Sequence, residues 1–81
     1  MTRVNFSQRF IPGDEVAILP NPHCAPVEVL GIGIVFYAGP AFIKLADGRT
    51  FDTIVKRGLN THGWIVLATD EHRDALQTTV R

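Results

Sequence analysis

The chain has 81 residues, with eight basic and eight acidic side chains, so its formal net charge is zero. A chain of this length has enough apolar surface for one core, and we expect a single domain over residues 1–81. Zero net charge gives no overall field that would attract nucleic acid or an anionic membrane. Because 46% of the residues are hydrophobic, we expect apolar surface outside the core and a homo-oligomer, either a dimer or a tetramer.

The sequence predicts no membrane span and no metal site. No run approaches about 18 consecutive apolar residues, and the N-terminus lacks the apolar segment of a signal peptide, so we expect a soluble, cytoplasmic protein. His23 and Cys24 are adjacent in a proline-flanked loop, where neighbouring side chains point apart instead of toward one metal ion. We therefore expect neither a metal nor a cofactor.

The first half of the chain predicts an extended arm and two strands. Apolar residues two or four apart favour an arm over residues 4–10, laid on a barrel. A strand is expected over residues 15–19, followed by a loop with two prolines over residues 21–27. The longest strand is expected over residues 28–37.

The two faces of this long strand differ in composition. One face is expected to belong to the core, and it carries Leu30, Ile32, Ile34 and Phe36. The other contains Gly31 and Gly33, which indicate strong coiling of the strand or the close approach of another backbone.

The strongest hairpin signal is the dipeptide Asp47-Gly48. A two-residue loop would place Lys44 opposite Phe51 and mix a charge with an aromatic ring on one face. A three-residue loop with a left-handed glycine instead pairs Ile43 with Phe51, and we favour this register. The side chains then predicted to point inward are Ala41, Ile43, Phe51 and Val55, and those predicted to point outward are Phe42, Lys44, Thr50 and Asp52.

The C-terminal part predicts a last strand and one short helix. The apolar run at residues 64–68 is typical of a strand. Thr69 is placed to cap a helix over residues 70–78, which needs to dock on the sheet because its apolar stripe is thin. These elements together predict a mainly β fold, a five-stranded barrel with an N-terminal extended arm and a short C-terminal helix.

No residue pattern favours catalysis. The sequence contains no nucleophile elbow, phosphate-binding loop, zinc-protease motif or dinucleotide-binding glycine pattern. His62 and His72, with Asp70 and Asp74, allow two interpretations: a histidine and carboxylate site, or an ordinary solvated first helical turn. We favour the second and expect no enzyme, while any role of the two histidines stays open.

Two groups of side chains are candidate binding residues. Exposed aromatic rings supply much contact area at little entropy cost, so Tyr37, Phe42 and Trp64 predict a self-association or partner surface. The alternative is a second small core beneath the arm or the helix. A basic patch for single-stranded nucleic acid is predicted from Lys44, Arg49, Lys56 and Arg57. The alternative there is that Lys44 and Arg49 are solvated guards on a strand edge.

Residues 10–16, with the sequence Phe-Ile-Pro-Gly-Asp-Glu-Val, resemble the opening of many SH3-like barrels, and this resemblance implies that the expected fold is a five-stranded SH3-like barrel. Together with residues 33–37, Gly-Ile-Val-Phe-Tyr, they also resemble the plasmid-encoded type II dihydrofolate reductases. Those enzymes build their site from a Val-Gln-Ile-Tyr run at a tetramer pore. Residues 64–67 are Trp-Ile-Val-Leu, so the resemblance does not imply reductase activity. Residues 47–73, from Asp-Gly-Arg-Thr-Phe through Thr-Asp-Glu-His-Arg, resemble small uncharacterised proteins of phages and mobile elements.

Three functional hypotheses follow from these patterns. The first is a non-enzymatic binding or assembly module that acts through an aromatic surface, on itself or on a protein partner. The second is a weak nucleic-acid-binding barrel that uses the basic patch. The third is an oligomeric small-molecule-binding or reductase-like pore protein, which needs several subunits to build its pocket.

Overall fold

The computed structural model describes residues 2–3, 7–24 and 28–80, which form a mainly β molecule with one helix. Five strands make one antiparallel sheet: β2 (Glu15–Leu19), β4 (Gly31–Ala38), β5 (Phe42–Leu45), β6 (Thr50–Asp52) and β7 (Trp64–Leu67). Their order in the sheet is β6-β5-β4-β2-β7. Two further short strands, β1 (Thr2–Arg3) and β3 (His23–Cys24), pair with each other, and helix α1 covers Asp70–Val80.

The edges of the five-stranded sheet approach each other without forming a ladder. In the described part of the chain β6 and β7 do not pair directly, so hydrogen-bonded strands do not close the sheet into a barrel. Residues 56–59 lie between the two edges. The Asp52 N–H donates to the Arg57 carbonyl at 2.7 Å on one side, and the Ile65 N–H donates to the Lys56 carbonyl at 3.1 Å on the other. The prediction of a mainly β fold with five strands and a C-terminal helix is confirmed.

The predicted strands correspond to observed ones, although the strand expected over 28–37 is β4, which begins three residues later, at Gly31. Two predictions extend beyond the described residues. The strand expected at 15–19 is β2. Residues 4–6 of the predicted arm and residues 25–27 of the predicted loop lie outside the described residues. The β1–β3 pair was not predicted, because strands of two residues leave no readable periodicity.

One core lies on the inner face of the sheet and a second lies beneath the helix. The inner core joins residues of all five strands and consists of Phe10, Val16, Ile18, Val35, Ile43, Leu45, Phe51 and Ile65. The opposite, outer face carries the second core, formed by Ala17, Leu19, Val29 and Val66, with Ile32, Trp64, Ala68, Ala75 and Leu76 packed against it. Helix α1 therefore covers the β2–β7 part of the outer face.

The faces of β4 are the reverse of the prediction. Val35 pairs with Leu45, and both side chains lie in the inner core, so the glycine face of β4 points inward. A Cβ at Gly33 would lie 2.8 Å from Leu45 Cδ1 and 3.6 Å from a guanidinium nitrogen of Arg49, so neighbouring side chains fill the space that the glycine leaves. The assignment of Leu30, Ile34 and Phe36 to the core was wrong, since all three are exposed, whereas Ile32 packs against the second core. The close approach required at Gly33 excludes large side chains from the inner face of β4.

The hairpin adopts the bulged register. Ile43 pairs with Phe51, and both are buried. Gly48 has φ +96°, and the Leu45 N–H donates to the Arg49 carbonyl at 2.8 Å across the loop. The inward placement of Ala41 and Val55 was wrong, since both are exposed and lie outside β5 and β6.

The helix begins at the predicted cap. The Thr69 hydroxyl accepts a hydrogen bond from the His72 backbone N–H at 3.3 Å. Arg73 then joins the helix to β2, because its Nε donates to Glu15 Oε1 at 2.9 Å and another guanidinium nitrogen donates to Asp70 Oδ1 at 2.8 Å. The bond to Glu15 raises the pKa of the Arg73 guanidinium. Over the described residues, no helix has the length and apolar character needed to cross a bilayer.

Candidate functional site

A β-bulge in β4 breaks the alternation of its side chains. Val35 pairs with Leu45, whereas Tyr37 pairs with Lys44, so Phe36 is an extra residue between the two pairs. Such a bulge places two consecutive side chains on the same side of the strand. Phe36 and Tyr37 are accordingly both outside the core, with exposed fractions of 67% and 45%.

Four side chains of β4 and β5 form an exposed group, which we call the outer aromatic surface: Ile34, Phe36, Tyr37 and Phe42. The rings of Tyr37 and Phe42 contact each other, with centroids 5.2 Å apart and planes inclined at 44°. The Tyr37 ring also lies over Gly39, where a Cβ would collide with it. Two of the three predicted aromatic residues are therefore together, and Ile34 and Phe36 extend the surface they form.

The outer aromatic surface carries one cation and one anion at its β5–β6 side. Lys44 is exposed and lies directly opposite Tyr37, while Asp52 lies opposite Phe42. The backbone N–H groups of Val55 and Ile54 donate to Asp52 Oδ1 at 2.9 and 2.7 Å, and these bonds lower the pKa of the Asp52 carboxyl. Opposite charges therefore flank the same exposed rings at neutral pH.

Trp64 lies apart from the other two aromatic residues. It begins β7, which is separated from β5 by β2 and β4, and it is half-buried against the core beneath the helix. The Arg57 guanidinium lies over its ring, 5.6 Å from the centroid. For Trp64 the structure matches the alternative interpretation of a second small core.

The four predicted basic residues do not form one patch. Lys44 points to the outer face, whereas Arg49 belongs to the inner side, where its guanidinium lies near Gly31 and Gly33. Arg49 is also paired with Asp47, with 2.6 Å between its Nε and Oδ2, and this bond lowers the pKa of the Asp47 carboxyl. Arg57 is stacked on Trp64 near the opposite edge of the sheet.

Lys56 is buried, with only 2% of the residue exposed. Its Nζ donates to the Thr53 carbonyl and lies 5.9 Å from the centroid of the Phe10 ring. Its backbone is left-handed, with φ +64°, a conformation that is uncommon for a residue other than glycine. Desolvation by burial lowers the pKa of the Lys56 ammonium. Lys56 thus holds the turn after β6 against the inner core.

A groove of about 590 Å³ lies beside Lys56. Its walls come from residues 7–11, from residues 38–40 and from the turn after β6, and they include Phe10, Ile43 and Ile54. The groove lies within one chain, whereas the small-molecule hypothesis relied on several chains to create a pocket.

The histidines are not brought together into a metal or catalytic cluster. His62 is exposed in the loop before β7, whereas His72 is buried in the first turn of α1. The described residues contain no group of three histidine, cysteine or acidic side chains that could hold a metal ion. The side chains of His23 and Cys24 lie outside the described part of the structure.

Comparisons with known proteins return no match: no family model, no curated protein and no solved structure is significantly similar to the chain. The identification of the outer aromatic surface as a candidate site therefore depends on its geometry alone. Sequence reasoning found Tyr37 and Phe42 and missed Ile34 and Phe36, which it had assigned to the core. The uneven pairing of β4 with β5 does not change the alternation of apolar and polar residues along the sequence. The sequence therefore contains no signal that predicts the bulge.

Proposed function

We propose that the chain is an assembly module of the SH3-like barrel type that associates with a second copy of itself through the outer aromatic surface. The observation that carries this proposal is the bulge at Phe36, which exposes two consecutive aromatic side chains beside Phe42. Contiguous exposed apolar patches on small proteins commonly mark interaction sites. The contacts of residues 56–59 with both sheet edges support the barrel-like shape.

The charges of the chain favour a second copy as the binding partner of the outer aromatic surface. A net charge of zero gives two copies no overall repulsion. A two-fold symmetric contact brings the same patch of both copies together. If one residue of the first copy contacts a second residue of the other copy, the reverse contact also forms. Lys44 of one copy can then face Asp52 of the other while the aromatic rings pack between them. The patch is therefore self-complementary in charge as well as apolar.

The test is sedimentation of the wild-type chain and of Phe36→Ser across a micromolar concentration series. We expect the wild-type mass to rise toward that of two chains. Burying a phenylalanine contributes about 1.5–3 kcal/mol, and a two-fold contact loses this contribution twice, so Phe36→Ser should weaken the dimer by roughly a hundredfold or more.

Ile54→Ser is the matched control, because Ile54 is 71% exposed and lies on the turn after β6, and its side chain is not one of the four that form the outer aromatic surface. It should associate like the wild type. A wild-type chain that remains single at high micromolar concentration overturns the proposal. Equal weakening by Ile54→Ser would show that the association is non-specific, and binding of a different protein by monomers would identify the surface as a partner site instead.

A further inference from the structure

Thr69 and His72 cap helix α1 reciprocally. The His72 backbone N–H donates to the Thr69 hydroxyl, and the Thr69 backbone N–H donates back to His72 Nδ1 at 3.1 Å. This is the geometry of a capping box, with histidine in the position that glutamate or glutamine usually occupies. Nδ1 also lies 3.1 Å from the Thr69 hydroxyl, which can donate or accept. Because a backbone N–H can only donate, the bond from the Thr69 N–H assigns Nδ1 as the acceptor and places the ring proton on Nε2.

The surroundings of the ring oppose a second proton. His72 is 3% exposed, and among the described residues its Nε2 has no hydrogen-bond partner. A protonated ring would direct an Nδ1–H at the Thr69 N–H, which cannot accept it, so the Thr69 N–H would lose its acceptor. The new proton would have to share the Thr69 hydroxyl, 3.1 Å from Nδ1, with the His72 N–H. The ring also lies at the positive end of the helix dipole, where a cation is unfavourable.

The charged groups around the ring come from the helix and from β2. Glu71 favours the protonated ring and Arg73 opposes it, while Glu15 of β2 is held by Arg73. The side chains of the core beneath the helix, including those from β7, are apolar or, for Trp64, not titratable in this range. Desolvation outweighs the attraction of Glu71, so the pKa of His72 is lowered from its ordinary value of about 6.5.

We propose that His72 makes the docking of helix α1 pH-sensitive: the neutral ring holds the helix on the outer face of the sheet, and protonation releases it. His72, Ala75 and Leu76 lie three and four positions apart, so the ring shares the helix face that packs on the sheet. Release would uncover Ala17, Leu19 and Val66. Mild acid thus enlarges the exposed apolar face of the molecule.

The direction with pH follows from the lowered pKa. When the helix is released, the histidine has its ordinary pKa and binds a proton more readily than in the docked state. The docked state therefore keeps its full stability above about pH 6.5 and loses it as the pH falls from there toward the lowered pKa. Coupling to one proton raises the opening constant by up to tenfold for each pH unit in that window.

The experiment follows amide hydrogen exchange and Trp64 fluorescence from about pH 7.5 to pH 5. We expect the protection factors of the α1 amides, corrected for the intrinsic slowing of exchange in acid, to fall, and the emission of Trp64, the only tryptophan, to shift to the red. The amides of β5 and β6 should keep their protection. His72→Gln retains a capping side chain that does not titrate, so its response should be flat. His62→Gln, at the exposed histidine, should respond like the wild type.

Three results would overturn the proposal. One is an unchanged wild-type helix across this pH range. Another is the same transition in His72→Gln, and a third is simultaneous loss of protection in β5 and β6, which would indicate global unfolding. If His72→Gln does not fold, the nitrogen chemical shifts of the wild-type His72 ring decide: a neutral Nε2–H tautomer near pH 7 supports the proposal, and an Nδ1–H tautomer or a charged ring contradicts it.

Discussion

At the scale of the residue, Lys56 is the side chain whose environment departs most from expectation. Its ammonium donates to the Thr53 carbonyl and lies near the Phe10 ring inside the molecule. Lys56→Met keeps an unbranched apolar stem and removes the donor, so the Thr53 carbonyl loses this partner. We expect the free energy of unfolding to fall by about 1–3 kcal/mol, measured by urea denaturation with Trp64 fluorescence.

Lys44→Met is the control for this prediction, because Lys44 is exposed on β5. Its effect on the free energy of unfolding should stay within about 0.5 kcal/mol. If Lys56→Met were as stable as Lys44→Met, the buried ammonium would contribute nothing to the turn. Such an outcome would leave apolar packing of the stem as the reason for the burial.

The burial of individual titratable side chains was the feature of the structure least predictable from the sequence. The sequence shows that Lys56 and His72 are charged or titratable, but burial depends on contacts with residues distant in the chain, such as Phe10. Lys56 was accordingly expected in a surface patch. Thr69 was identified as a cap because capping depends on neighbours within one helical turn.

At the scale of the element, the hairpin loop depends on Gly48. Its φ is +96°, and a Cβ there would meet no atom within 4 Å, so any cost of Gly48→Ala comes from the backbone alone. We expect a loss of about 1–2 kcal/mol, and a smaller loss for Gly48→Asn, by thermal or urea denaturation.

Gly31→Ala is the matched control for the loop. A Cβ at Gly31 would lie 3.5 Å from a guanidinium nitrogen of Arg49, which is an ordinary contact, and its φ is not left-handed. Its stability should be close to that of the wild type. Equal losses for the two alanine variants would argue against a left-handed residue in the loop.

The register of the hairpin was predictable from the sequence, whereas the direction in which the two faces of β4 point was not. The position of the glycine in the loop determines which β5 residue opposes Phe51, so local sequence sufficed for the hairpin. The facing of β4 depends on Leu45 and Arg49, which occupy the space left by Gly31 and Gly33. Those side chains come from the next hairpin, and hydrophobicity counted along β4 alone favoured the opposite face.

At the scale of the whole molecule, the two outer-face regions differ in what covers them. Helix α1 packs on the β2–β7 side, whereas Phe36, Tyr37 and Phe42 remain exposed on the β4–β5 side. The prediction of apolar surface outside a small core came from composition and is met by these residues. Its location depended on the bulge, which composition does not reveal.

Self-association through the outer aromatic surface predicts that thermal stability depends on protein concentration. Binding that requires the folded chain stabilises it by mass action, so the wild-type Tm should rise with concentration, while the Tm of Phe36→Ser should stay nearly constant. Apolar contact responds weakly to salt, whereas contact driven by exposed charges is screened within a Debye length of about 10 Å at 0.1 M. Calorimetry at two concentrations and two ionic strengths separates these cases. A Tm that is independent of concentration, or a concentration effect abolished by salt, would argue against an apolar interface between copies.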